Sequence, residues 1–197
     1  MSHNKIRTLV FLSLLLPITL LWGQSGRDNW QQPQRVLDSL GVKEGMVIGE
    51  VGAGDGYFTY HLARRVGNNG LVYANDIDDD ELNKIRNKVK KDSITNIITI
   101  LGESTETNFP DSTMEMIIMV YVFHHLDEPV DFFKNLKRTL KTGAPIVILE
   151  RDPDKYSGWS GHFYPKQKVI SIIEKTGYRL QKIYTFLSRD NIYVVYP

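Results

Sequence analysis

The order of the secondary-structure signals limits the fold more than any other feature of this chain. Apolar runs of strand length alternate with segments in which apolar residues recur every three or four positions, the spacing of one helix face. The last two runs are separated by only four residues, a link that permits a hairpin and is too short for a parallel crossover. We predict an α/β fold with a doubly wound, seven-stranded, mainly parallel sheet, a C-terminal antiparallel hairpin and helices on both faces. The predicted strands are 46–51, 71–75, 97–101, 116–122, 144–150, 180–187 and 192–196.

The size and charge of the chain narrow the classes of function. It has 197 residues, enough for one domain of ordinary size, and it has no cysteine, which excludes disulfides, thiolate metal sites and a cysteine nucleophile. Without Lys5 and Arg7, which belong to an N-terminal segment, residues 24–197 contain 22 basic and 23 acidic side chains. A domain so close to neutral has no field that attracts a phosphate backbone, so we expect no nucleic-acid partner.

Residues 1–23 have the composition of an export signal. Two basic residues precede an uncharged, largely apolar run, and small and polar residues follow it. The run is short for a spanning helix and is interrupted by Pro17. We expect a cleaved signal peptide or a retained membrane anchor, followed by a single domain at 24–197. Both alternatives place the domain on the non-cytoplasmic side of a membrane, which it contacts only through 1–23 if that segment is retained. A cytoplasmic location is the remaining alternative.

Three glycines at alternate positions follow the first predicted strand, at Gly52, Gly54 and Gly56. Glycine lets the backbone approach a ligand where a side chain would collide, and the following helix points its free N–H groups at the same place. The dinucleotide fingerprint G-x-G-x-x-G would need a glycine where Tyr57 stands, which argues against NAD. Asp76 directly follows the second predicted strand, where a carboxylate can accept hydrogen bonds from both hydroxyls of a ribose.

The joint order of these motifs resembles that of class I S-adenosylmethionine-dependent methyltransferases over residues 30–197. In that family an acidic residue and three glycines end the first strand, as Glu50, Gly52, Gly54 and Gly56 do here. The resemblance implies S-adenosyl-L-methionine as the cofactor and methyl transfer as the activity. It also implies a set of cofactor contacts, with Ile77 packed against the adenine and Glu103 near the adenine amino group: Glu50, Gly52, Ala53, Gly54, Gly56, Asp76, Ile77 and Glu103.

Two histidines and an aromatic segment are the candidates for the acceptor side. His124 and His125 follow the fourth predicted strand, and we predict that one of them takes a proton from the acceptor; the alternative is a structural role in the adjoining loop. Glu150 and Arg151 face the same cleft by topology. Segment 151–165 is long and rich in aromatic residues, which favours a lid or binding wall over a mere cover for the core. The predicted acceptor-pocket residues are Trp30, Tyr156, Trp159, His162 and Tyr164.

We expect methyl transfer by in-line displacement, in which the protein aligns donor and acceptor, excludes water and requires no metal. The aromatic segment and the lack of an inserted acceptor domain favour a small-molecule acceptor. Two alternatives stay open. One is an exported, non-catalytic nucleoside-binding module of the same fold, because S-adenosylmethionine is made inside the cell. The other is a nicotinamide-dependent oxidoreductase, which shares the sheet and the ribose-binding acid. Nothing in the sequence predicts the oligomeric state.

Overall fold

The computed structural model describes residues 26–156 and 161–197. The predicted export segment 1–23 and the predicted pocket residue Trp159 lie outside these ranges. The strands are β1 (Val47–Val51), β2 (Leu71–Asp76), β3 (Ile97–Leu101), β4 (Met116–Val120), β5 (Ile146–Arg151), β6 (Arg179–Tyr184) and β7 (Asp190–Tyr196). The helices are α1 (Gly26–Gln31), α2 (Pro33–Ser39), α3 (Tyr57–Val66), α4 (Asp79–Asp92), α5 (Pro129–Thr139) and α6 (Lys166–Lys175), with a 3₁₀ turn at Phe123–His125.

The strands form one sheet in the order β3-β2-β1-β4-β5-β7-β6. The first five strands of this order are parallel, and β7 is antiparallel to both of its neighbours, β5 and β6. The predicted fold is therefore confirmed, including its C-terminal hairpin. Successive strands are added outward in opposite directions from the sheet centre, from β1 to β2 and β3 on one side and from β4 to β5 on the other. The carboxyl ends of β1 and β4 therefore flank the crevice in which open α/β sheets bind their ligands.

Two hydrophobic clusters cover the two faces of the sheet. Helices α2, α3 and α4 pack on one face, and α5 and α6 pack on the other. All five residues of β4 are buried and apolar, with Ile118 in the first cluster and Ile117 in the second, because successive side chains of a strand point to opposite faces. Burial on both faces explains why the sequence of this strand reads as a continuous apolar run.

Three local predictions are wrong. The apolar spacing of Val36, Leu37 and Leu40 predicts one short helix that opens at residues 30–33, but the chain forms two, α1 and α2, because Gln32 has a left-handed φ of 48° between them. The expected alternation of strand and helix fails after β3, where residues 102–115 return to the sheet centre without a helix. Phe109 anchors this connection and is 2% exposed. The fourth strand ends at Val120, since the next residue has φ 61° and turns the chain into the 3₁₀ turn.

Within the described ranges, each helix is too short or too polar to cross a membrane.

Candidate active site

The glycine loop lies at the carboxyl end of β1, where the chain turns into α3. Gly52, Gly54 and Gly56 have φ values of 67°, 53° and 86°, a region that favours glycine. A Cβ atom on Gly52 would lie 2.2 Å from Cγ2 of Val122, whereas one on Gly54 would meet nothing within 4 Å. Packing within the protein therefore requires Gly52 to lack a side chain, while Gly54 borders open space that a ligand can fill.

Asp76 joins the glycine loop to the end of β2. Its Oδ2 accepts a hydrogen bond from the backbone N–H of Gly54 at 2.8 Å, and its Oδ1 accepts one from the N–H of Asp78 at 3.0 Å. An ionised carboxylate has about four acceptor positions, so these two bonds leave about two for a ligand. The predicted ribose-binding side chain is held against the loop and keeps the capacity to accept from two hydroxyls.

A cavity of about 350 Å³ opens beside Asp76, within the size range of small-molecule sites. Several of the predicted cofactor contacts line it, namely Gly52, Asp76, Ile77 and Glu103. Ile77 is 67% exposed, so an apolar surface at the mouth of the cavity is free to cover a ligand ring.

A larger hollow of about 450 Å³ lies between the ends of α3 and α4. It is lined by Asn96 and Gly67, beside the amino ends of the strands, and contains none of the predicted site residues. Because ligands of open α/β sheets bind at the carboxyl ends of the strands, the cavity beside Asp76 is the candidate site.

Glu50 is a buried acid on β1, 1% exposed, next to this loop. Burial raises the pKa of its carboxyl to about 8, although the hydrogen bond from Thr59 and the charge of Arg27 act in the opposite direction. The hydroxyl of Thr59 donates to Oε2 of Glu50 at 2.5 Å. A buried acid with a raised pKa gains most from a nearby positive charge, so this side of the cleft suits a cationic ligand. Ala53, the remaining predicted loop residue, is buried and donates its N–H to the carbonyl of Asn75 at 2.9 Å.

The two predicted histidines lie in the 3₁₀ turn after β4. Nδ1 of His124 lies 2.9 Å from Oε2 of Glu150, and these side chains are 2% and 0% exposed. When Nδ1 carries the single ring proton, it donates to the carboxylate and Nε2 keeps its lone pair for another partner. That nitrogen lies 3.2 Å from Nε2 of His162. His125 lines the cavity, and its pKa is lowered by partial burial and by the neighbouring His124 and His162.

An aromatic wall stands beside the histidines and surrounds Arg151 at the end of β5. The guanidinium carbon of Arg151 lies 5.1 Å from the ring centroids of Trp30, Tyr121 and Tyr156, and 5.3 Å from that of Phe163. Such distances allow cation–π attraction. The structure therefore brings two predicted acceptor-pocket residues, Trp30 and Tyr156, to one place.

The predicted residue Tyr164 points elsewhere. It packs against the core cluster under α5 and α6, and Nζ of Lys168 lies 3.6 Å from its ring centroid. Its neighbour Phe163 contacts the site instead, with its ring centroid 4.6 Å from that of His124.

Three residues here were not predicted from the sequence: Tyr121 and Phe163, which belong to the wall, and Asp190, which binds to it. The hydroxyl of Tyr121 donates to Oδ2 of Asp190 at 2.8 Å, and Nε of Arg151 lies 3.6 Å from Oδ1 of the same carboxylate. Burial raises the pKa of Asp190 to about 6. Asp190 is opposite Arg151 in the register of β5 and β7. The last strand was predicted to begin at residue 192, and a prediction that began it at Asp190 would have placed this residue beside Arg151.

A family model described as a methyltransferase domain matches residues 49–148, which is about half of the chain. Among curated proteins, the ubiquinone/menaquinone biosynthesis C-methyltransferase UbiE of Vibrio campbellii is 26% identical over 151 residues, or 73% of this chain and 58% of the relative. The enzyme of the same name from Idiomarina loihiensis is 30% identical over 115 residues, or 58% of this chain and 46% of the relative. The chain thus spans about half the length of these relatives.

Two solved structures extend the likeness to three dimensions. A SAM-dependent methyltransferase from Aquifex aeolicus matches with a TM-score of 0.82 and 29% identity, over 87% of this chain and 93% of that one. The geranyl diphosphate C-methyltransferase of Streptomyces coelicolor, solved with Mg²⁺, geranyl diphosphate and S-adenosyl-L-homocysteine, matches with a TM-score of 0.68 over 86% of this chain and 80% of that one. At 13% identity, the second match shows the fold alone.

Proposed function

The chain belongs to the methyltransferase-domain family of S-adenosylmethionine-dependent enzymes, and from this premise we propose that it transfers a methyl group to a small, largely apolar acceptor. Bound S-adenosylmethionine supplies a methyl group on a positively charged sulfur. The reaction needs alignment of donor and acceptor and exclusion of water, which the protein can provide by binding and shape.

One observation carries the cofactor assignment: the carboxylate of Asp76 is fixed against an open glycine loop. The bond from the Gly54 N–H at 2.8 Å orients the carboxylate, and about two acceptor positions remain for the ribose hydroxyls. The space above Gly54 is clear of protein atoms within 4 Å of an added Cβ. Asp76 would hold the ribose, and the backbone at Gly52–Gly56 would approach the remainder of the nucleoside.

The charge around Glu50 supports a cationic cofactor. A carboxyl whose pKa is raised to about 8 is largely protonated at neutral pH, and a positive charge nearby stabilises its ionised form. S-adenosylmethionine carries such charges on its sulfonium and its amino group. The role of Glu50 in this proposal is to favour the charged cofactor over its neutral fragments.

The aromatic wall supports a flat or apolar acceptor. Trp30, Tyr121, Tyr156 and Phe163 form an apolar surface around the guanidinium of Arg151. The names of two similar proteins agree with this chemistry, since one acts in ubiquinone and menaquinone biosynthesis and the other methylates geranyl diphosphate. The predicted proton transfer by His124 or His125 stays a prediction.

The test is formation of S-adenosylhomocysteine from S-adenosylmethionine in the presence of a panel of phenols, quinols and prenyl compounds. We expect at least one of these acceptors to raise the rate above that of the acceptor-free control. The Asp76→Ala variant should lose this activity, and the matched variant Asp80→Ala, which removes an exposed carboxylate four residues away, should keep it. Equal rates in Asp76→Ala and the native protein would contradict the proposal. Binding without turnover across the panel would favour the non-catalytic module.

We also propose that residues 1–23 direct the domain out of the cytoplasm. The support is the basic start, the apolar run and the small residues after it. Cell fractionation with N-terminal sequencing tests this proposal: an exported protein that begins near residue 24 supports cleavage, and a cytoplasmic protein that begins at Met1 contradicts export.

A further inference from the structure

Three imidazole rings converge at the acceptor side of the cleft. His124 and His125 come from the 3₁₀ turn after β4, and His162 comes from the segment before α6, 38 residues from His124 in the sequence. One candidate ligand nitrogen from each ring lies within 4.8 Å of the other two. Groups from separate segments share this location because β4 and β5 are adjacent and parallel, so the chain leaves both strands at the same edge of the sheet.

The spacing of these nitrogens is close to that of a tetrahedral metal site. Zn–N bonds of about 2.0–2.1 Å at tetrahedral angles separate two ligand nitrogens by about 3.3 Å. The Nε2 atoms of His124 and His162 are 3.2 Å apart, which is already this separation. His125 is exposed, so its ring is free to close the remaining gap of up to about 1.5 Å that the same geometry requires.

Glu150 completes the arrangement behind the rings. Its Oε2 lies 2.9 Å from Nδ1 of His124, and neither side chain is more than 2% exposed. In metal sites, a carboxylate that accepts from one imidazole nitrogen fixes the tautomer, so that the other nitrogen presents its lone pair to the metal.

We propose that His124, His125 and His162 bind a divalent transition-metal cation of the zinc class, with Glu150 as the group that orients His124. Three imidazoles suit zinc and its neighbours in the first transition series, and a three-histidine set leaves a fourth position open to water or substrate. His125 lines the cavity beside Asp76, so the proposed cation would lie at the edge of the cleft.

The cation has a consequence for the acceptor, and this consequence rests on the proposed function. A cation-bound Nε2 of His124 cannot also take the acceptor's proton, so the predicted proton transfer by that nitrogen is replaced. An acceptor hydroxyl bound at the fourth position would release its proton to solvent water more readily, because a bound cation lowers the pKa of a coordinated oxygen. Cation binding itself does not depend on methyl transfer.

The experiment is a titration of the untagged, chelator-treated chain with Co²⁺, followed by displacement with Zn²⁺. We expect one equivalent of Co²⁺ to bind with the strong visible absorption of four-coordinate cobalt, and Zn²⁺ to abolish it. His162→Ala and His125→Ala should each weaken binding at least ten-fold. Glu150→Gln should weaken it by about 10- to 100-fold through the orientation of His124. His61→Ala removes a histidine of α3 that is not part of the cluster, and it should bind Co²⁺ as the native protein does.

S-adenosylhomocysteine calorimetry on the same samples reports whether each variant is folded and keeps this experiment distinct from the test of function. A native protein that binds the nucleoside but gives no four-coordinate cobalt spectrum overturns the metal site and leaves the proposed function intact. Cobalt affinity that is the same in His162→Ala, in His125→Ala and in the native protein also overturns the metal site. A cobalt spectrum that depends on these histidines, in a protein that binds no nucleoside, supports the metal site and overturns the proposed function.

Discussion

The two halves of the cleft are built by different means. The cofactor half consists of Glu50, the loop 52–56 and Asp76, which follow one another at the ends of two adjacent strands, within the range matched by the family model. The acceptor half takes its side chains partly from outside that range, from α1 and from the segments after β5. Backbone geometry and carboxylates form the first half, and aromatic, histidine and arginine side chains form the second.

This difference separates what the chain shares from what is its own. Backbone N–H groups and glycines tolerate little change, because a single Cβ atom can close the space that a ligand needs. A wall of side chains from distant segments can change residue by residue while the sheet stays intact. Under the proposed function, the first half provides the general reaction and the second half provides the choice of acceptor.

Gly52→Val should have the largest effect on stability. The new side chain would start 2.2 Å from Cγ2 of Val122 at a residue with φ 67°, so overpacking and left-handed strain add to about 2–5 kcal/mol of lost unfolding free energy. Gly143→Val is the matched control, because φ is 77° and a Cβ meets nothing within 4 Å there. Urea unfolding should give a clearly smaller loss for Gly143→Val, and equal losses would mean that the loop is not closely packed against Val122.

Glu50→Gln should change how stability depends on pH. The pKa of Glu50 rises from 4.5 to about 8 on folding, so the unfolded chain releases this proton first and the unfolding free energy falls between these two pH values. The unfolding free energy of the variant does not fall in this way. Above pH 8 it should therefore be higher than that of the native protein by a few kcal/mol, on the order set by the pKa shift. The raised pKa of Asp190 also makes the unfolding free energy fall as the pH rises to about 6. This contribution is the same in both proteins, so it does not affect the difference between them.

Glu115→Gln is the control of opposite sign for this experiment. A hydrogen bond from the backbone N–H of Val47 lowers the pKa of Glu115, so its contribution to stability is present above the unfolded pKa and is lost as the pH falls. The variant should be less stable than the native protein at neutral pH. If Glu50→Gln behaves in the same way, Glu50 is ionised in the folded protein and the cofactor half is less desolvated than its structure indicates.

Gly54→Ala should affect binding more than folding. Its Cβ atom projects into open space at φ 53°, so we expect about 1–2 kcal/mol of lost unfolding free energy and at least a ten-fold loss of S-adenosylhomocysteine affinity. Gly177→Ala carries a similar backbone strain, with φ 78° and open space, in a turn before β6. It should show the same change in stability with unchanged nucleoside affinity, and a loss of affinity in both variants would contradict the assignment of this loop.

Of these variants, Tyr121→Phe should have the smallest effect on nucleoside binding by the cofactor half. Loss of the hydroxyl that donates to Asp190 should reduce the unfolding free energy by about 1–2 kcal/mol. The ring of Tyr121 lines the cavity beside Asp76, but phenylalanine keeps that ring and the lost hydroxyl binds Asp190, so S-adenosylhomocysteine affinity should stay within about two-fold. Tyr178→Phe, which removes a buried hydroxyl that donates to the carbonyl of Phe133 at 3.0 Å, is the matched control. A large loss of nucleoside affinity in Tyr121→Phe alone would show that the two halves are one unit.

The sequence predicts that the glycine loop and Asp76 lie together because each of these parts occupies a short, continuous stretch of the chain. A strand, a glycine loop and an acid at the next strand end are each visible within a few residues, and parallel neighbours necessarily bring Asp76 to the loop. The sheet was also predictable from local patterns, because each strand is a distinct apolar run that is separated from the next. The helix after β3 was wrongly expected, since the alternation of the other strands was extended to a connection whose buried anchor is the single residue Phe109.

The acceptor half depends on long-range geometry that short patterns do not encode. Tyr121 turns toward the site only because β4 ends at Val120, and a continuous apolar run contains no sign of that end. Asp190 meets Arg151 through strand register, and His162 meets His124 across 38 residues. The choice between Phe163 and Tyr164 as the residue facing the cleft depends on the direction in which the chain enters α6.

Calorimetric titration with S-adenosylhomocysteine of the native protein, Asp76→Ala and Asp80→Ala tests the central claim most directly. In the proposed function, Asp76 offers its remaining acceptor positions to the ribose, and each hydrogen bond to a charged group contributes about 1.5–3 kcal/mol. The account predicts one bound nucleoside in the native protein and in Asp80→Ala, with affinity at least about a hundred-fold weaker in Asp76→Ala. Equal affinity in all three proteins, or no binding to the native protein, would contradict it.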